Sequence, residues 1–402
     1  MAISRLRMVR GEVETTFATE NGSHSWLGVR AIDPQLTMEQ QLHPQQYVQQ
    51  RITQFPGAHL LGRRSGRLSF GMYLCGDGTP LSVAAATTGD TLHSLVKLAM
   101  GGASSAQGSA AKAGCTLSTI NVNTSANFSA GAAIMAPTGT SQAREISVIK
   151  SIANSTLTLE WKMSSAATTA EKVFNSFSYY IDPAATTTWQ FQCVGEAGSS
   201  IDSFLCLGCV GGFSFTNLLG LDGPPQINFD LQVTRWETDV VAITATTTYD
   251  CGADPLNTAT QMQCFYQDEN TTTRTFLPVS NVEINPGIVW TPLYARGQGD
   301  TEHVERIRMT RVEPTVTFTT DAAAAYWTEL NSQTVKRFAL LFGATEGYSW
   351  VIDIPRAYVQ TVPVRAEHAE QTAVTVTLRA KEDDAGAATS AMLRSPLRIH
   401  RL

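Results

Sequence analysis

The sequence has few charged residues and no long hydrophobic run. Charged residues make up 16% of its 402 residues, and the formal net charge is −6. This low, acidic charge argues against a nucleic-acid-binding surface, because such a surface needs clustered Lys and Arg. No run approaches the roughly 18 apolar residues of a membrane span. Met1–Val13 carries arginines with no apolar segment behind them. We therefore expect no membrane insertion and no secretory signal.

Cysteine and histidine are scattered along the chain. The seven cysteines are an odd number for a disulfide framework. Cys206 and Cys209 have the spacing of half a zinc site, but no second CxxC motif or His pair accompanies them. Cysteine is also a common small hydrophobe in an apolar strand. The seven histidines have no partner at ligand or triad spacing, and His93 is most simply a surface or partly buried residue.

Motifs of the common enzyme classes are missing as well. There is no phosphate loop, no glycine-rich dinucleotide fingerprint and no HExxH zinc motif. In Gly62–Gly66 the serine stands one residue too far from the first glycine for a nucleophile elbow, and the segment precedes a strand pattern, where the elbow needs a helix. Glu382–Asp384 is most simply a solvated turn. We predict no enzymatic activity and no catalytic, cofactor-binding or metal-binding residue.

What the sequence does contain is a pattern of Thr-rich, alternating strands that occurs twice. The segment Thr188–Asp239 contains two apolar runs around glycine turns, a loop and a final alternating strand, and Val335–Asp384 repeats this order. Period-two alternation is typical of a strand with one buried face. The apolar positions of the final strands lie 145 residues apart: Phe229, Leu231 and Val233 in the first copy, and Val374, Val376 and Leu378 in the second. We interpret this pattern as a duplication.

A strand and a short helix precede each copy of the repeat. In the first half, Ser65–Cys75 alternates, and Asp90 is expected to cap a helix that stops at Gly101. In the second half, Arg306–Thr320 is strand-like with a break at Pro314, and Asp321 is expected to cap a helix over Ala322–Leu330. Pro355 is expected to end the strand that begins at Tyr348.

Two stretches are harder to interpret. Met38–Gln50 is rich in glutamine and is compatible with a helix, although Pro44 lies within it. Between the first helix and Thr188 lie roughly 85 extra residues, opening with the linker-like Gly101–Gly108 and holding four or five short strand patterns. These extra residues predict a small β-barrel inserted into the first copy.

The fold class that follows is mainly β, with two sandwich or half-barrel modules that each carry one short helix, and an inserted small β-barrel. The first module is discontinuous and comprises residues 1–103 and 176–245. The inserted domain comprises residues 104–175, and the second module residues 246–402.

Three segments of the second half resemble the C-terminal half of the tail tube proteins of tailed bacteriophages. These segments are Lys336–Gly343, Val351–Arg356 with its I-x-I-P turn, and the alternating strand Thr372–Ala380. In the first half, Ile149–Leu159 resembles part of a small extra domain that many such proteins carry. Leu207–Val210 is similar to the strand that commonly re-enters the tube domain.

The resemblance implies a structural virion protein without cofactors. Two modules in one chain imply a ring of three chains with six modules, and stacked rings would form a tube through which DNA passes without specific binding. Loops such as Leu218–Pro225 and Val362–Gln371 would reach the next ring. The implied partners are other copies of the chain and the tape measure, terminator and baseplate proteins. The implied location is the phage tail, with the host cytoplasm during assembly.

Two other readings stay open at this point. The chain would be a distal hub or adaptor ring if it formed a single closed ring on the same fold. It would be a carbohydrate-binding β-sandwich if its tryptophans stacked on sugars, although most of them lie in apolar strand patterns that favour core packing. Those tryptophans are Trp26, Trp161, Trp189, Trp236, Trp290, Trp327 and Trp350.

Overall fold

The computed structural model describes most of the chain and shows a mainly β protein. The described residues are 2–3, 6–44, 59–75, 91–104, 108–139, 143–185, 187–195, 203–220, 223–238, 256, 262–269, 271–296, 302–321, 325–343, 347–361, 364–368, 371–382 and 390–402. Within these ranges the strands form two large sheets, a smaller sheet and a separate two-stranded hairpin. No helix in the described ranges is long and apolar enough to cross a membrane.

The first sheet contains nine strands. Its strands are β1 (Ala2–Ile3), β2 (Leu6–Val13), β3 (Leu27–Val29), β4 (Ile32–Pro44), β5 (His59–Tyr73), β14 (Trp189–Gly195), β15 (Ser203–Thr216), β16 (Gln226–Val233) and β17 (Arg235–Thr238). They are ordered β1-β4-β5-β16-β15-β14-β2-β3, and β17 pairs with β15. The alternation in β16 has the predicted effect, because its apolar residues are buried while the polar residues between them are half-buried.

The second sheet contains ten strands. They are β6 (Gly101–Ser104), β13 (Phe177–Ile181), β18 (Met262–Asp268), β19 (Asn281–Asn285), β22 (Thr315–Asp321), β23 (Lys336–Phe342), β24 (Trp350–Val359), β25 (Val364–His368), β26 (Gln371–Ala380) and β27 (Arg398–Arg401). The main order is β19-β22-β26-β24-β27-β13-β6; β23 also pairs with β24, β18 with β23, and β25 with β26. Strands β20 (Ile288–Arg296) and β21 (Glu302–Val312) form the separate hairpin between β19 and β22.

The two sheets share a common core of six strands in the same order. In the first sheet this order is β4-β5-β16-β15-β14-β2, and in the second it is β19-β22-β26-β24-β23-β18. Even an irregularity repeats. Trp189 and Phe191 pair with Cys209 and Cys206, so one extra residue bulges from β15. Lys336 and Phe338 pair with Ala357 and Ile354 in the same way, at the matching place in β24.

This bulge corrects the expectation that Pro355 ends its strand. The strand continues to Val359, and Pro355 lies within the bulge, between the paired residues Ile354 and Ala357. A proline is tolerated there because the bulge interrupts the ladder and its missing N–H is not needed. At the matching place in the first sheet, Gly208 has a φ of +61°, a conformation that glycine adopts without strain.

Each copy carries a helix at the same place, between the strands β5 and β14 or β22 and β23. The first helix is Thr91–Met100 and ends at Gly101, whose φ is +87°. Asp90, its expected cap, lies outside the described residues. The second helix is Ala325–Ser332, residues 322–324 lie outside the described residues, and Asp321, its expected cap, is the last residue of β22. A third, one-turn helix, Ala391–Arg394, precedes the last strand.

Strands β6 and β13 differ from the predicted domain division. The predicted boundaries assign Gly101–Ala103 and the stretch after residue 176 to the first module. The structure instead pairs β13 with β6 and with β27, which places both strands in the second sheet. The same pairing shows that the linker-like start of Gly101–Gly108 is a strand. The chain thus crosses to the second sheet before entering the insertion and returns through that sheet afterwards.

The insertion folds into a small barrel, as predicted, and the barrel has six strands where four or five were expected. They are β7 (Ser109–Ala110), β8 (Thr119–Asn121), β9 (Ala133–Thr138), β10 (Ala143–Ala153), β11 (Thr156–Leu159) and β12 (Lys172–Asn175), in the order β7-β12-β9-β10-β11-β8. A bridge between Ala111 and Val122 joins the two ends of this order and closes the barrel. Its interior has a core of its own that includes Ile120, Ile134 and Leu157.

The stretch Met38–Gln50 was expected to be compatible with a helix, and this expectation is wrong for its described part. Residues up to Pro44 belong to β4, which pairs along its length with β5. Residues 45–50 lie outside the described residues. Cross-strand pairing decides the outcome here, since the glutamine-rich run has no apolar face at helical spacing to bury.

One continuous hydrophobic core runs through both large sheets. Its largest fully buried side chains include Trp189, Phe229, Phe318, Phe338 and Trp350. The indole Nε1 of Trp350 donates a hydrogen bond of 3.1 Å to the backbone oxygen of Cys75, which joins the second sheet to the end of β5. Packing across this shared core therefore holds the two modules against each other.

Candidate assembly surface

In each large sheet, two neighbouring strands of the six-strand core have one apolar and one polar face: β5 and β16 in the first sheet, and β22 and β26 in the second. On the second sheet, Val316 and Phe318 are fully buried, while Thr315, Thr317 and Thr319 between them are half-buried on the opposite face. These threonines form cross-strand hydrogen bonds with the next strand, Thr317 to Thr377 at 3.1 Å and Thr319 to Thr375 at 3.0 Å. On the first sheet, the matching positions of β16 are Gln226, Asn228, Asp230 and Gln232.

The charges on these polar faces are largely paired with each other. Arg67 on β5 forms a two-pronged ion pair with Asp230 on β16. Arg379 at the end of β26 lies 2.8 Å from Glu313, and Glu313 also pairs with Arg311. The remaining surface is mainly hydroxyl and amide groups. Among the residues that the structure describes, these faces therefore offer no cluster of unpaired positive charge that would hold a phosphate backbone.

The two polar faces meet at a groove. The C-terminal half of β15 lies beside β19 and β20 of the other module. A groove of about 1000 Å³ between them is lined by Ser214–Gly220, Ser280–Asn285 and the half-buried threonines of β22. Further along, a Cβ built on Gly212 would lie 3.1 Å from the backbone oxygen of Ile288. The two modules thus lie side by side along these strand edges, and the polar faces of both modules border the same groove.

On the second sheet, the part of the polar face formed by β23 and β24 is covered by the inserted barrel, because Leu341 and Val351 lie on the same side of the sheet as Thr317 and Thr377. Met135 and Val148 of the barrel, with Trp161, pack against Leu341 and Val351 of β23 and β24. Strand β9 is buried on both sides, since Ile134 faces the interior of the barrel while its neighbours face the sheet. Because the contact is apolar and closed, the barrel is fixed to the second module although its sequence interrupts the first.

A buried ion network lies within this contact. Arg337 on β23 donates from Nε and Nη2 to the two carboxylate oxygens of Asp353, at 2.9 and 2.8 Å. Its Nη1 lies 3.0 Å from Glu160 of the barrel, and its guanidinium lies 4.9 Å from the ring centre of Trp161. Arg398 lies 3.6 Å from Asp353 and donates to the backbone oxygen of Gly131 at 3.2 Å. The network connects three strands of the sheet to the barrel at two points.

Burial and charge set the protonation of this network. Burial alone would raise the pKa of Asp353, but the positive charges of Arg337 and Arg398 outweigh it and lower that pKa. Burial lowers the pKa of His400 on β27 to about 3, so its imidazole is neutral at pH 7. His400 Nδ1 lies 2.8 Å from the hydroxyl of Ser178 on β13. These groups form a closed structural network rather than an open reactive site.

On the first sheet the corresponding face is covered by the segment after β2. Glu14 is buried there and accepts hydrogen bonds from the backbone N–H groups of Gly208, at 2.6 Å, and Ala18, at 3.0 Å. Burial raises its pKa from 4.5 to about 7 against the effect of these bonds. Glu12 pairs with His24 at 2.8 Å. In the same segment, the backbone N–H of Asn21 donates a hydrogen bond to Oε1 of Gln190.

The residues singled out from sequence do not assemble into a reactive centre. Cys206 and Cys209 are buried free thiols in β15, and among the described residues no group of three or more His, Cys, Asp or Glu side chains is arranged to hold a metal ion. Cys75 is disulfide-bonded. His93 is more buried than expected, at 2% exposure, and its Nδ1 lies 2.7 Å from the hydroxyl of Tyr179. Glu382 is exposed, and Asp383 and Asp384 lie outside the described residues.

The tryptophans mostly pack in cores, as their strand patterns indicate. Trp161, Trp189, Trp290 and Trp350 are buried, and Trp26 and Trp236 are half-buried. Trp327 differs, because half of its surface is exposed on the helix Ala325–Ser332. The described tryptophans therefore present no row of open aromatic faces suited to stacking on a sugar chain.

Sequence reasoning missed the ion network and the docking of the barrel. Arg337 and Asp353 each lie within an apolar run, and a charged residue inside a buried strand is a signal that it has a partner. The further partners Glu160 and Arg398 are far away along the chain, so the sequence does not show that they complete the network.

No protein-family model matches this sequence, and no curated protein matches it either.

Proposed function

We propose that this protein is a structural subunit of a bacteriophage tail tube, in which rings of the chain stack around a channel for DNA. One observation carries the proposal. Two modules with the same strand order, the same bulge and the same helix position stand edge to edge within one chain. A repeated unit that contacts its own copy side by side is half-way to a closed ring.

The duplication supports a specific ring size. The proposal places three chains in each ring, because three chains supply six equivalent modules. Sheet edges are normally liabilities, since unpaired backbone groups attract other strands. In a ring, each edge is covered by the next module, as β19 lies beside β15 within the chain.

The polar faces suit a channel lining. The groups on them are hydroxyls, amides and paired charges, such as the Arg67–Asp230 pair. A surface without free positive charge releases few counterions on contact with DNA, so binding remains weak and DNA can slide. The inserted barrel covers the β23 and β24 part of the same face of the second sheet, so in this arrangement the channel lining is formed by β19, β22 and β26, beside the barrel.

Stacking requires elements that project from the ring. Hairpin β20–β21 and hairpin β25–β26 are available for this role. Val362–Gln371 was predicted to be a loop, and its described residues 364–368 form strand β25 instead. The proposed partners are therefore further copies of the chain along the tube axis and, at its ends, tape measure, terminator and baseplate proteins. The proposed location is the phage tail, with assembly in the host cytoplasm.

Negative-stain electron microscopy of the purified protein across a concentration series tests the proposal. We expect rings with six-fold appearance at intermediate concentrations and tubes at high concentration, and sedimentation should give a trimer as the smallest ring. Closed rings that never stack would favour a distal hub or adaptor ring. Monomers alone at high concentration would refute the proposal.

A further inference from the structure

Two equivalent helices in this chain have very different surroundings. The helix Thr91–Met100 is buried on nearly all sides, because it lies between β3 and β15 of the first sheet and β6 and β13 of the second. The helix Ala325–Ser332 packs on β24 and leaves Trp327 half exposed. A large aromatic on an open helix face is a common anchor of a protein–protein contact.

The buried sides of the two helices correspond. Leu92, Leu95 and Val96 face the core in the first helix. In the second helix the same spacing falls on Tyr326, Glu329 and Leu330, of which the first two are buried and the third is half-buried. The residue after Leu92 is His93, and the residue after Tyr326 is Trp327.

His93 therefore shows what happens at the position of Trp327 when a second module is present. Its ring contacts Phe177 edge-on, with 4.1 Å between ring centres, and its Nδ1 lies 2.7 Å from the hydroxyl of Tyr179. Both partners belong to β13, in the sheet of the other module. The face that carries His93 is thus part of the junction between modules.

The strand edges at this junction correspond in the same way. Beyond Cys209, β15 pairs with β16 on one side and lies beside β19 and β20 on the other. Beyond Ala357, β24 pairs with β26 on one side. On its other side, no strand in the described part of the chain forms a ladder with Tyr358 or Val359. The second module therefore presents an open copy of the surface that the first module buries.

The complementary surface is partly open at the other end of the chain. Strand β19 matches β4, since Val282 pairs with Phe318 of β22 as Leu36 pairs with Leu68 of β5. On its free side, β4 pairs only with the two residues of β1 among the described strands. β1 pairs with Leu36 and Thr37, which match Val282 and Glu283 of β19, so this part of the β4 edge is covered. Residues 40–44 of β4 match the start of β20, which lies beside β15, and among the described strands they form no ladder on this side.

We propose that the surface formed by Trp327 and the edge Ala357–Thr361 binds the β4 edge of a second copy of this chain, repeating between chains the junction that joins the two modules within one chain. The inference deepens the proposed function and rests on it. It assigns the contact that closes the ring and fixes which end of each chain meets which end of the next. The aromatic anchor and the packing of the strand edges supply the affinity of this contact.

The first test replaces the anchor. Trp327→Arg should raise the concentration needed for ring formation by roughly 10- to 100-fold, as expected for a central interface aromatic. Phe276→Arg is the matched control, because Phe276 is also exposed, at 59%, and lies beside Phe265 on the barrel side. This control should assemble like the wild type. Circular dichroism and thermal unfolding should match for all three proteins, since both side chains are substantially exposed.

The second test uses disulfide cross-linking. Within the chain, a Cβ at Gly212 lies 3.8 Å from the Cβ of Ile288, which suits a disulfide. Gly212 lies three residues beyond Cys209, as Gln360 lies beyond Ala357. Ile288 lies four residues beyond Ile284, as Leu42 lies beyond Met38.

The pair Gln360→Cys and Leu42→Cys should therefore give covalent oligomers that end at a trimer, while Gly212→Cys with Ile288→Cys should give a cross-linked monomer. Cys115, a partly exposed free cysteine, is replaced by Ser in every variant, and each single-cysteine variant serves as a control.

The outcomes separate the two proposals. Loss of rings in Trp327→Arg together with intermolecular cross-links through position 360 would support the inference. If the Trp327→Arg protein forms rings as readily as the wild type, or if no intermolecular cross-link forms through position 360, the inference is refuted. Either result would leave the proposed tail tube function standing. A wild-type protein that stays monomeric under all conditions would remove the proposed function and the inference together.

Discussion

The buried pair of Arg337 and Asp353 gives the sharpest prediction about stability, because the chain contains an exposed pair of the same geometry. Asp353 has no exposed side-chain surface and Arg337 has 4%, whereas Arg67 and Asp230 are 68% and 46% exposed. Both pairs join neighbouring strands through two parallel hydrogen bonds. The difference between them is therefore burial.

Asp353→Asn removes the charge that Arg337 and Arg398 face, and leaves Arg337 with Glu160 as its remaining carboxylate. Breaking a buried pair by removing one partner is expected to lower the free energy of unfolding by about 3–5 kcal/mol, since the other charge stays buried. The same change in the exposed pair, Asp230→Asn, is expected to cost about 0–1 kcal/mol because water replaces the lost partner.

Urea unfolding of both variants, followed by circular dichroism, measures the difference. Adding Arg337→Met to an Asp353→Leu variant should cost less than the sum of the two single changes, because no unpaired charge then remains between these positions. Equal and small losses for Asp353→Asn and Asp230→Asn would refute the reasoning that burial makes this network important for the docking of the barrel.

Three further outcomes are expected. Burial raises the pKa of Glu14 from 4.5 to about 7, so its contribution of roughly 3 kcal/mol is present below pH 4.5 and is lost as the pH rises through 7. Glu14→Gln should therefore flatten the fall in urea midpoint between pH 5 and pH 8, and an unchanged slope would contradict the burial of this carboxyl. Replacing Thr317 and Thr375 by Lys should make assembled rings retain DNA in a salt-dependent way, measured by filter binding. Leu117→Lys on the exposed surface of the barrel should not, and equal retention would argue against a channel position for these threonines. Leu341→Asp places a charge in the closed barrel contact. It should speed proteolysis of the barrel while hydrogen exchange in the first sheet stays slow, and a barrel that remains protected would exclude this contact as its main attachment.

The final strands of the two copies, β16 and β26, were predictable because each has one buried and one polar face. Period-two alternation in Gln226–Val233 and Gln371–Ala380 requires only local sequence to read. Their repetition 145 residues apart predicted two copies, and the structure gives the copies the same strand order. The pattern at Pro355 misled because a bulge, which depends on the partner strand, determines whether proline ends a strand.

The domain boundaries were less accessible for the same reason. Strands β6 and β13 are short and carry no signal of which sheet they join, and β27 at the far end of the chain is what pairs with β13. Similarly, Met38–Pro44 becomes a strand because β5 lies beside it. Such choices depend on partners that are distant in sequence.

The sequence by itself determined the secondary structure class, the duplication and the inserted barrel, because alternation and spacing are local properties that a strand needs in order to bury one face. Only the tertiary structure decided which module the barrel docks on, how Arg337 is neutralised, and that one helix is buried while its equivalent leaves Trp327 open. These features depend on surfaces that meet across long separations in the chain. Their free energy comes from desolvation at the contact, which a linear pattern does not encode.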